Sequence, residues 1–286
     1  MSAIASVAIS VLNKEVDNDG IELYIALPPI EVPVAKDYMK DKLVGKYTVK
    51  LPKLEKEVHF TISDVHCLEE SSLALVSFLF DTSGKLKEGM AEYINLKVLS
   101  IDIGASTSDL AICNNGTYIN KTGKTYKTGG NVAREYLANY IAREYSIDMT
   151  DDMEITAMSE GRIRIGSKYK DISDVVTNAK KELAKQIAVQ IPDYFRSVNI
   201  PIQDIGAIIV SGGGSMESFY MDEAGNKVVT AVSTSKFITD NIKDICDTSE
   251  VVQYPVEEAR FANLKGLIIK AKLDYAIKQA RAKASK

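Results

Sequence analysis

Cysteine and histidine are scarce in this chain of 286 residues, which has three of the first and two of the second. Cys67, Cys113 and Cys246 are odd in number and far apart, so they offer no disulfide framework. With only His59 and His66 as imidazole partners, none of the three has zinc-ligand spacing. Idle thiols in a reducing cytoplasm are the expectation. Seven prolines and 17 glycines are too few for a fibrous or disordered chain. No apolar run reaches the roughly 20 residues that a bilayer span needs. The opening "MSAIASVAISVLNKEV" lacks the basic start of a secretory leader, and Asn13, Lys14 and Glu15 close it early. A net charge of −4 argues against a general nucleic-acid coat.

What is present suits one large domain or two modest ones with a real core. Ala3, Ile4, Val7, Ala8 and Val11 recur at helical spacing, so the chain opens on a largely buried helix, as though a domain were entered partway through. "IELYIALPP" reads as a strand stopped by Pro28 and Pro29, and residues 31–45 as a loop or short helix. "KYTVKL" and "EVHFTISDV" alternate strictly and make a hairpin that carries His59 and His66 as surface or core imidazoles. "LEESSLALVSFLFD" reads as a loop leading into a buried segment.

Residues 98–127 predict two or three short strands, with Asn115-Gly116 as a hairpin turn. "GGNVAREYLANYIAREY" follows as a helix with Val132, Tyr136, Leu137, Tyr140 and Ile141 on one face. Residues 148–170 are mixed and polar. A long amphipathic helix then carries Ile172, Val175, Val176, Ala179, Leu183 and Ile187, and stops at Pro192. "IGAIIVSGGGS" is a buried strand ending in glycines, "SKFITDNIKDIC" is a helix, and the chain closes on a basic helix or tail. Alternating strands and helices favour an α/β sandwich.

Two stretches carry chemistry. "DIGASTSD" sets Asp102 at the end of a buried strand, followed by Gly104, Ala105, Ser106 and Thr107. Small residues let consecutive backbone amides approach a phosphate, while a neighbouring carboxylate suits hydrated Mg²⁺ or an attacking water. Asp109, on the returning strand, would support the same metal through water. A plain hairpin with a polar turn is the competing reading. "IIVSGGGSMES" opens into Gly212, Gly213 and Gly214, a run that close backbone approach to a ligand requires. Thr177, Lys180, Lys181 and Ala184 share a helix flank that faces either a ribose and base or, with Glu182, the solvent. Thr128 to Val132, including Gly130, is either a helix cap or a phosphate contact.

"LSIDIGASTSDLAI" resembles the second phosphate motif of the actin, sugar kinase and heat-shock chaperone superfamily, and "IIVSGGGSMES" resembles its adenosine motif. "IELYIALPPIE", "EVHFTISDVHCLEES", "TGGNVAREYL" and "ARFANLKGL" are most similar to the ParM-type actins that segregate bacterial plasmids. The likeness runs from about residue 5 to 268 and implies an actin-like, ribonuclease H-like α/β fold. Residues 1–97 would be a remnant of the first domain, 98–267 a nearly complete second domain, and 268–286 a basic helix or tail. The family's first phosphate hairpin and small insertion subdomain have no counterpart, so an N-terminal truncation is the expectation.

The resemblance further implies Asp102 and Glu70 as catalytic groups, the latter positioning water, and Asp102 with Asp109 at the metal. Gly104 to Thr107 and Gly130 would contact phosphate, Gly212 to Gly214 the adenosine, and Lys180 and Lys181 the base. The implied cofactor is ATP or GTP with Mg²⁺, if nucleotide binds at all. The expected function is filament formation in plasmid segregation, with self as partner and a DNA-binding adaptor beside it, and with slow or absent hydrolysis. Direct DNA contact and a membrane are set aside, and the location is cytoplasmic. Two alternatives stay open: a non-polymerising cap of a full-length ParM-like partner, and an ATPase completed by a separate N-terminal polypeptide. Residues 219–234 depart from the family and form either a hairpin at the assembly surface or an idle loop.

Overall fold

A computed structural model describes residues 3–243, 250–253 and 256–284. Cys246 and the end of "SKFITDNIKDIC" lie outside them. The chain divides into two compact units, Met1–Glu69 and Glu70–Lys286.

The first unit holds α1 (Ala3–Leu12), β1 (Ile21–Leu27), α2 (Val32–Leu43), β2 (Gly45–Leu51) and β3 (Lys56–Glu69). Its three-stranded sheet has the order β1-β3-β2, with β3 parallel to β1 and antiparallel to β2. The segment 31–45 resolves as a helix, α2, with proline in its first turn, where a missing N–H costs nothing. The alternation of β3 is not strict. Val58, Phe60 and Ile62 point inward, and then a register shift opposite Ile21 and Glu22 moves the inward set to Val65 and Cys67. One extra residue in a strand flips every following side chain. Both histidines lie in β3: His59 pairs with Thr48, and His66 stacks on Tyr24 beside Glu22.

The second unit opens with α3 (Glu70–Leu79), so "LEES" is the end of a strand and the start of a helix rather than a loop. There follow α4 (Ala91–Ile94), β4 (Lys97–Ile103), β5 (Ser108–Asn114), β6 (Thr117–Tyr118), β7 (Lys124–Tyr126) and α5 (Gly130–Tyr145). The polar stretch 148–170 contains α6 (Asp151–Glu160), β8 (Arg162–Ile165) and the start of β9 (Lys168–Asp171). Then come α7 (Ser173–Ala188), α8 (Ile191–Val198), β10 (Ala207–Ser211), β11 (Ser218–Met221), β12 (Lys227–Ala231), α9 (Thr234–Lys243), β13 (Glu250–Gln253), α10 (Val256–Ala259) and α11 (Ala262–Ala284).

The main sheet runs β13-β10-β4-β5-β6, with β7 also on β5; β10 is parallel to β4 and β13, and β5 antiparallel to β4. Helices cover both faces. Leu99, Ile101, Leu110, Ile112 and Ile208 meet Ala179, Leu183 and Ile187 of α7 and Ile238 of α9 on one side. Val98, Cys113 and Ile209 meet Leu75 and Phe78 of α3 and Ala262 of α11 on the other. Burial on both faces is why these strands read as continuous apolar runs.

Pro192 does not end the long helix: α7 stops at Ala188, and Pro192 sits in the first turn of a new helix, α8. Tyr136 is exposed, and Ala133 takes its place on the buried face of α5 beside Leu137 and Ile141. Asn115 and Gly116 both adopt positive φ, 50° and 69°, as the tight hairpin turn between β5 and β6 requires. The insert at 219–234 is indeed a hairpin, β11 against β12, its turn held by the Asp222 carboxylate accepting from the amides of Ala224 and Asn226. Cys67 and Cys113 are buried thiols. Among the described residues no helix is long and apolar enough to cross a membrane.

Candidate functional site

Within this sheet of hydrophobic strands, Asp102 and Asp109 stand out. They face each other across the β4–β5 ladder, so both carboxylates leave the same side of the sheet. Asp102 is also the register partner of Ser211, the last residue of β10. The hydroxyl of Ser211 donates to Asp102 Oδ1 at 3.2 Å, and Asn263 Nδ2, from the first turn of α11, donates to Oδ2 at 2.9 Å. Asp109 accepts from Thr125 on β7 and, at 3.5 Å, from Thr107.

Asp102 is only 8% exposed. Burial pushes its carboxyl above the usual carboxylate range; the bonds from Asn263 and Ser211 work against that push, and the neighbouring Asp109 adds to it.

Three glycine segments converge on the ends of these strands. The turn 104–107 is closed by the Gly104 amide donating to Thr107 O at 2.9 Å. The first turn of α5 docks onto it, with the amides of Gly130 and Asn131 donating to the carbonyls of Gly104 and Ala105 at 2.9 and 2.7 Å. Nothing larger than glycine fits at Gly129, where a Cβ would lie 2.6 Å from Thr107 N. The third segment, 212–214, presses on the same strand end: a Cβ on Gly214 would lie 2.5 Å from the Ile103 side chain and 3.2 Å from Gly104 O. Gly212, at φ +90°, donates its amide to Ala259 O at 3.1 Å. Ala105, Ser106 and Gly213 remain exposed at the tips. The result is a backbone-lined cradle with two carboxylates at its base.

That donor set fits a nucleotide with Mg²⁺. Small residues bring loop backbone close to phosphate, and Mg²⁺ takes one or two carboxylates together with phosphate oxygens and water rather than a full protein cage. Among the described residues no group of three or more His, Cys, Asp or Glu side chains is placed to hold a metal ion.

The remaining sequence candidates divide. Glu70 is half-buried in the first turn of α3, at the start of the second unit. Lys181 is exposed, its ammonium 5.5 Å from the ring centre of Phe237, which fits the solvent-facing alternative. Lys180 does not. It is 3% exposed, and its Nζ donates to Met216 O at 2.9 Å and Val232 O at 3.3 Å, the two roots of the β11–β12 hairpin. Burial lowers its pKa to about 7, opposed by nearby Glu217.

A separate cavity of about 350 Å³ lies between the β8–β9 and β11–β12 hairpins and shares no lining residue with the glycine cradle. Its Arg162 is held between the rings of Tyr169 and Tyr220, 4.2 and 3.9 Å from their centres. The sequence reading missed Asn263, Ser211 and Thr125 as partners of the two carboxylates. Ser211 could have been found, since it immediately precedes the three glycines; Asn263 and Thr125 carry no local signal.

The sheet order, the acidic strand end and the glycine cradle define an actin-like fold. The family model "Archaeal actin homologue MreB-like, C-terminal" matches residues 100–219, the segment that runs from β4 to β11. Among solved structures, the archaeal actin homologue Ta0583 aligns with a TM-score of 0.66 at 19% identity, over 95% of this chain and 75% of its own. The actin-like protein Alp7A gives 0.67 at 19%, over 99% and 76%. Bacillus thuringiensis ParM with ATP gives 0.60 at 15%, over 96% and 72%. No curated protein matches.

Proposed function

We propose that this protein is a filament-forming, actin-like protein that holds ATP or GTP with Mg²⁺ at the glycine cradle, acts in the cytoplasm in plasmid DNA segregation, and hydrolyses nucleotide slowly. The convergence of segments 104–107, 129–130 and 212–214 on Asp102 is the observation that carries the reading. Likeness to Ta0583, which has also been solved in complex with ADP, and to a ParM solved with ATP supports it.

In this reading the exposed tips of the cradle receive phosphate, and Asp102 with Asp109 faces the metal. Mg²⁺, when bound, neutralises phosphate charge. The chain's own residues orient and shield: glycines admit the backbone, and Ser211 and Asn263 aim the Asp102 carboxylate. Slow turnover follows from the state of that carboxylate. It is buried, and both of its oxygens already accept hydrogen bonds, from Ser211 and Asn263, which leaves it less free to act as a base toward an attacking water. The expected partners are further copies of the chain in an open head-to-tail array and a DNA-binding adaptor.

The test is sedimentation and electron microscopy of the pure protein with no nucleotide, with MgADP and with MgATP, alongside phosphate release. Ordered polymers with little phosphate release support the proposal. A monomer under every condition, or turnover in the usual enzyme range of about 1–10³ s⁻¹, refutes it, and the monomeric outcome favours a cap of a longer partner.

A further inference from the structure

We infer that Asn263 is a positioning residue for the Asp102 carboxylate, and that through it the segment 259–263 joins the phosphate-facing strand to α11. The inference rests on the nucleotide reading of the cradle but goes beyond it, because it assigns a role to a residue outside every glycine motif.

Two observations on the side chain itself carry it. Asn263 donates from Nδ2 to Asp102 Oδ2 at 2.9 Å, across 161 residues of chain. Its other amide atom, Oδ1, is buried without a hydrogen-bond partner. A side chain kept for helix stability alone would not leave a carbonyl oxygen orphaned in the interior; a leucine would pack there at lower cost. What the amide contributes at this position is the bond that its nitrogen makes.

The helix that carries it is also fixed in place. A Cβ on Gly266, one turn further along α11, would lie 2.0 Å from the Leu73 carbonyl oxygen, so α11 and α3 meet backbone to backbone and the register of Asn263 is set. Four residues earlier, Ala259 O accepts the Gly212 amide at 3.1 Å. The five residues 259–263 therefore grip both the adenosine-type loop and the acidic strand end. Partners of this kind, which touch a metal-facing carboxylate without touching the metal, set the direction of its lone pairs.

The test compares the wild type with Asn263→Ala and Asn263→Leu, using Ser211→Ala as a second donor deletion. In the ligand-free protein, the side-chain carboxyl ¹³C resonance of Asp102 is expected to move in both Asn263 variants and in Ser211→Ala. Affinity for ADP with Mn²⁺ is expected to fall about tenfold in the Asn263 variants, with metal-free ADP affinity unchanged. A merely structural asparagine would weaken both affinities together, with the thermal midpoint, and would overturn the inference. So would an Asp102 resonance that stays in place. Should the alanine variant fail to fold, the leucine variant carries the same comparison. A wild type that binds no ADP would refute the nucleotide reading, while the carboxyl resonance would still decide the role of Asn263.

Discussion

Replacing Gly212 with alanine puts a methyl group into the point where two strands and a loop meet. The added Cβ would stand 2.4 Å from Ile103 O, 2.6 Å from Asp102 Oδ1 and 2.7 Å from Ile103 N. All are held in place, two by the β4 backbone and one by the hydrogen bonds on Asp102. The backbone at Gly212, φ +90° and ψ 163°, belongs to a region that only glycine occupies readily. That strain costs about 1–3 kcal/mol, and overpacking of a fixed site adds about 1–3 kcal/mol.

A loss of about 2–6 kcal/mol is the expectation, a large share of the roughly 5–15 kcal/mol that holds an ordinary domain together. The neighbouring glycine supplies the control. A Cβ on Gly213 meets nothing closer than Arg260 Cγ at 3.9 Å, with no positive φ, so Gly213→Ala is expected within about 0.5 kcal/mol of the wild type. Urea unfolding followed by circular dichroism reads both variants. Equal midpoints for the Gly212 and Gly213 variants would refute the claim that close approach to β4, rather than loop flexibility, is why glycine stands at 212.

Lys180 predicts a pH signature. Its folded-state pKa is lowered from 10.5 to about 7, so between those values the unfolded chain holds a proton that the folded chain has released. Stability therefore rises as pH climbs through that window; below it both states are protonated and the full cost of burying the ammonium is felt, an upper bound on the order of 5 kcal/mol. The urea midpoint of the wild type is expected to gain on that of Lys180→Met between pH 7 and pH 10, and parallel curves would contradict this. Gly266→Ala, with its Cβ 2.0 Å from Leu73 O, forces α11 off α3. It is expected to lose about 1–3 kcal/mol or more in thermal unfolding, and a midpoint matching the wild type would show that the two helices have slack.

The parts of this protein that sequence reasoning reached are those whose causes are local. β4, β5 and β10 were legible as apolar runs, and the Asn115-Gly116 turn because few other residue pairs accept two positive φ values. The segment 219–234 stood out only as a departure from the family, which left hairpin and loop open; the structure decides for a hairpin. Pro192 misled, because a proline that would break the inside of a helix is at home in the first turn of the next. The phase change in β3 stayed hidden, since a single extra residue leaves composition untouched.

At the site, Asp102 and the glycines were found from strand-then-small-residue patterns. The state of Asp102 was not, because it depends on Asn263, an otherwise unremarkable polar residue 161 positions away. The burial of Lys180 was not legible for the same reason: its Nζ is tied to a pair of carbonyls 36 and 52 residues further along the chain.

The staple at Lys180 has an evolutionary corollary. One nitrogen donates to both roots of the β11–β12 hairpin, so the chain leaves the sheet after the glycines and returns to α9 at nearly the same place. The hairpin's strands are tied to the rest of the unit, since Ser218 donates to Met158 O, Thr230 donates to Glu160 O and Tyr220 lies on Arg162, whereas the turn residues 223–226 are exposed. Only that turn can change in length and spelling without disturbing these bonds, so the hairpin tip is where a new surface can be built while the glycine cradle stays as it was.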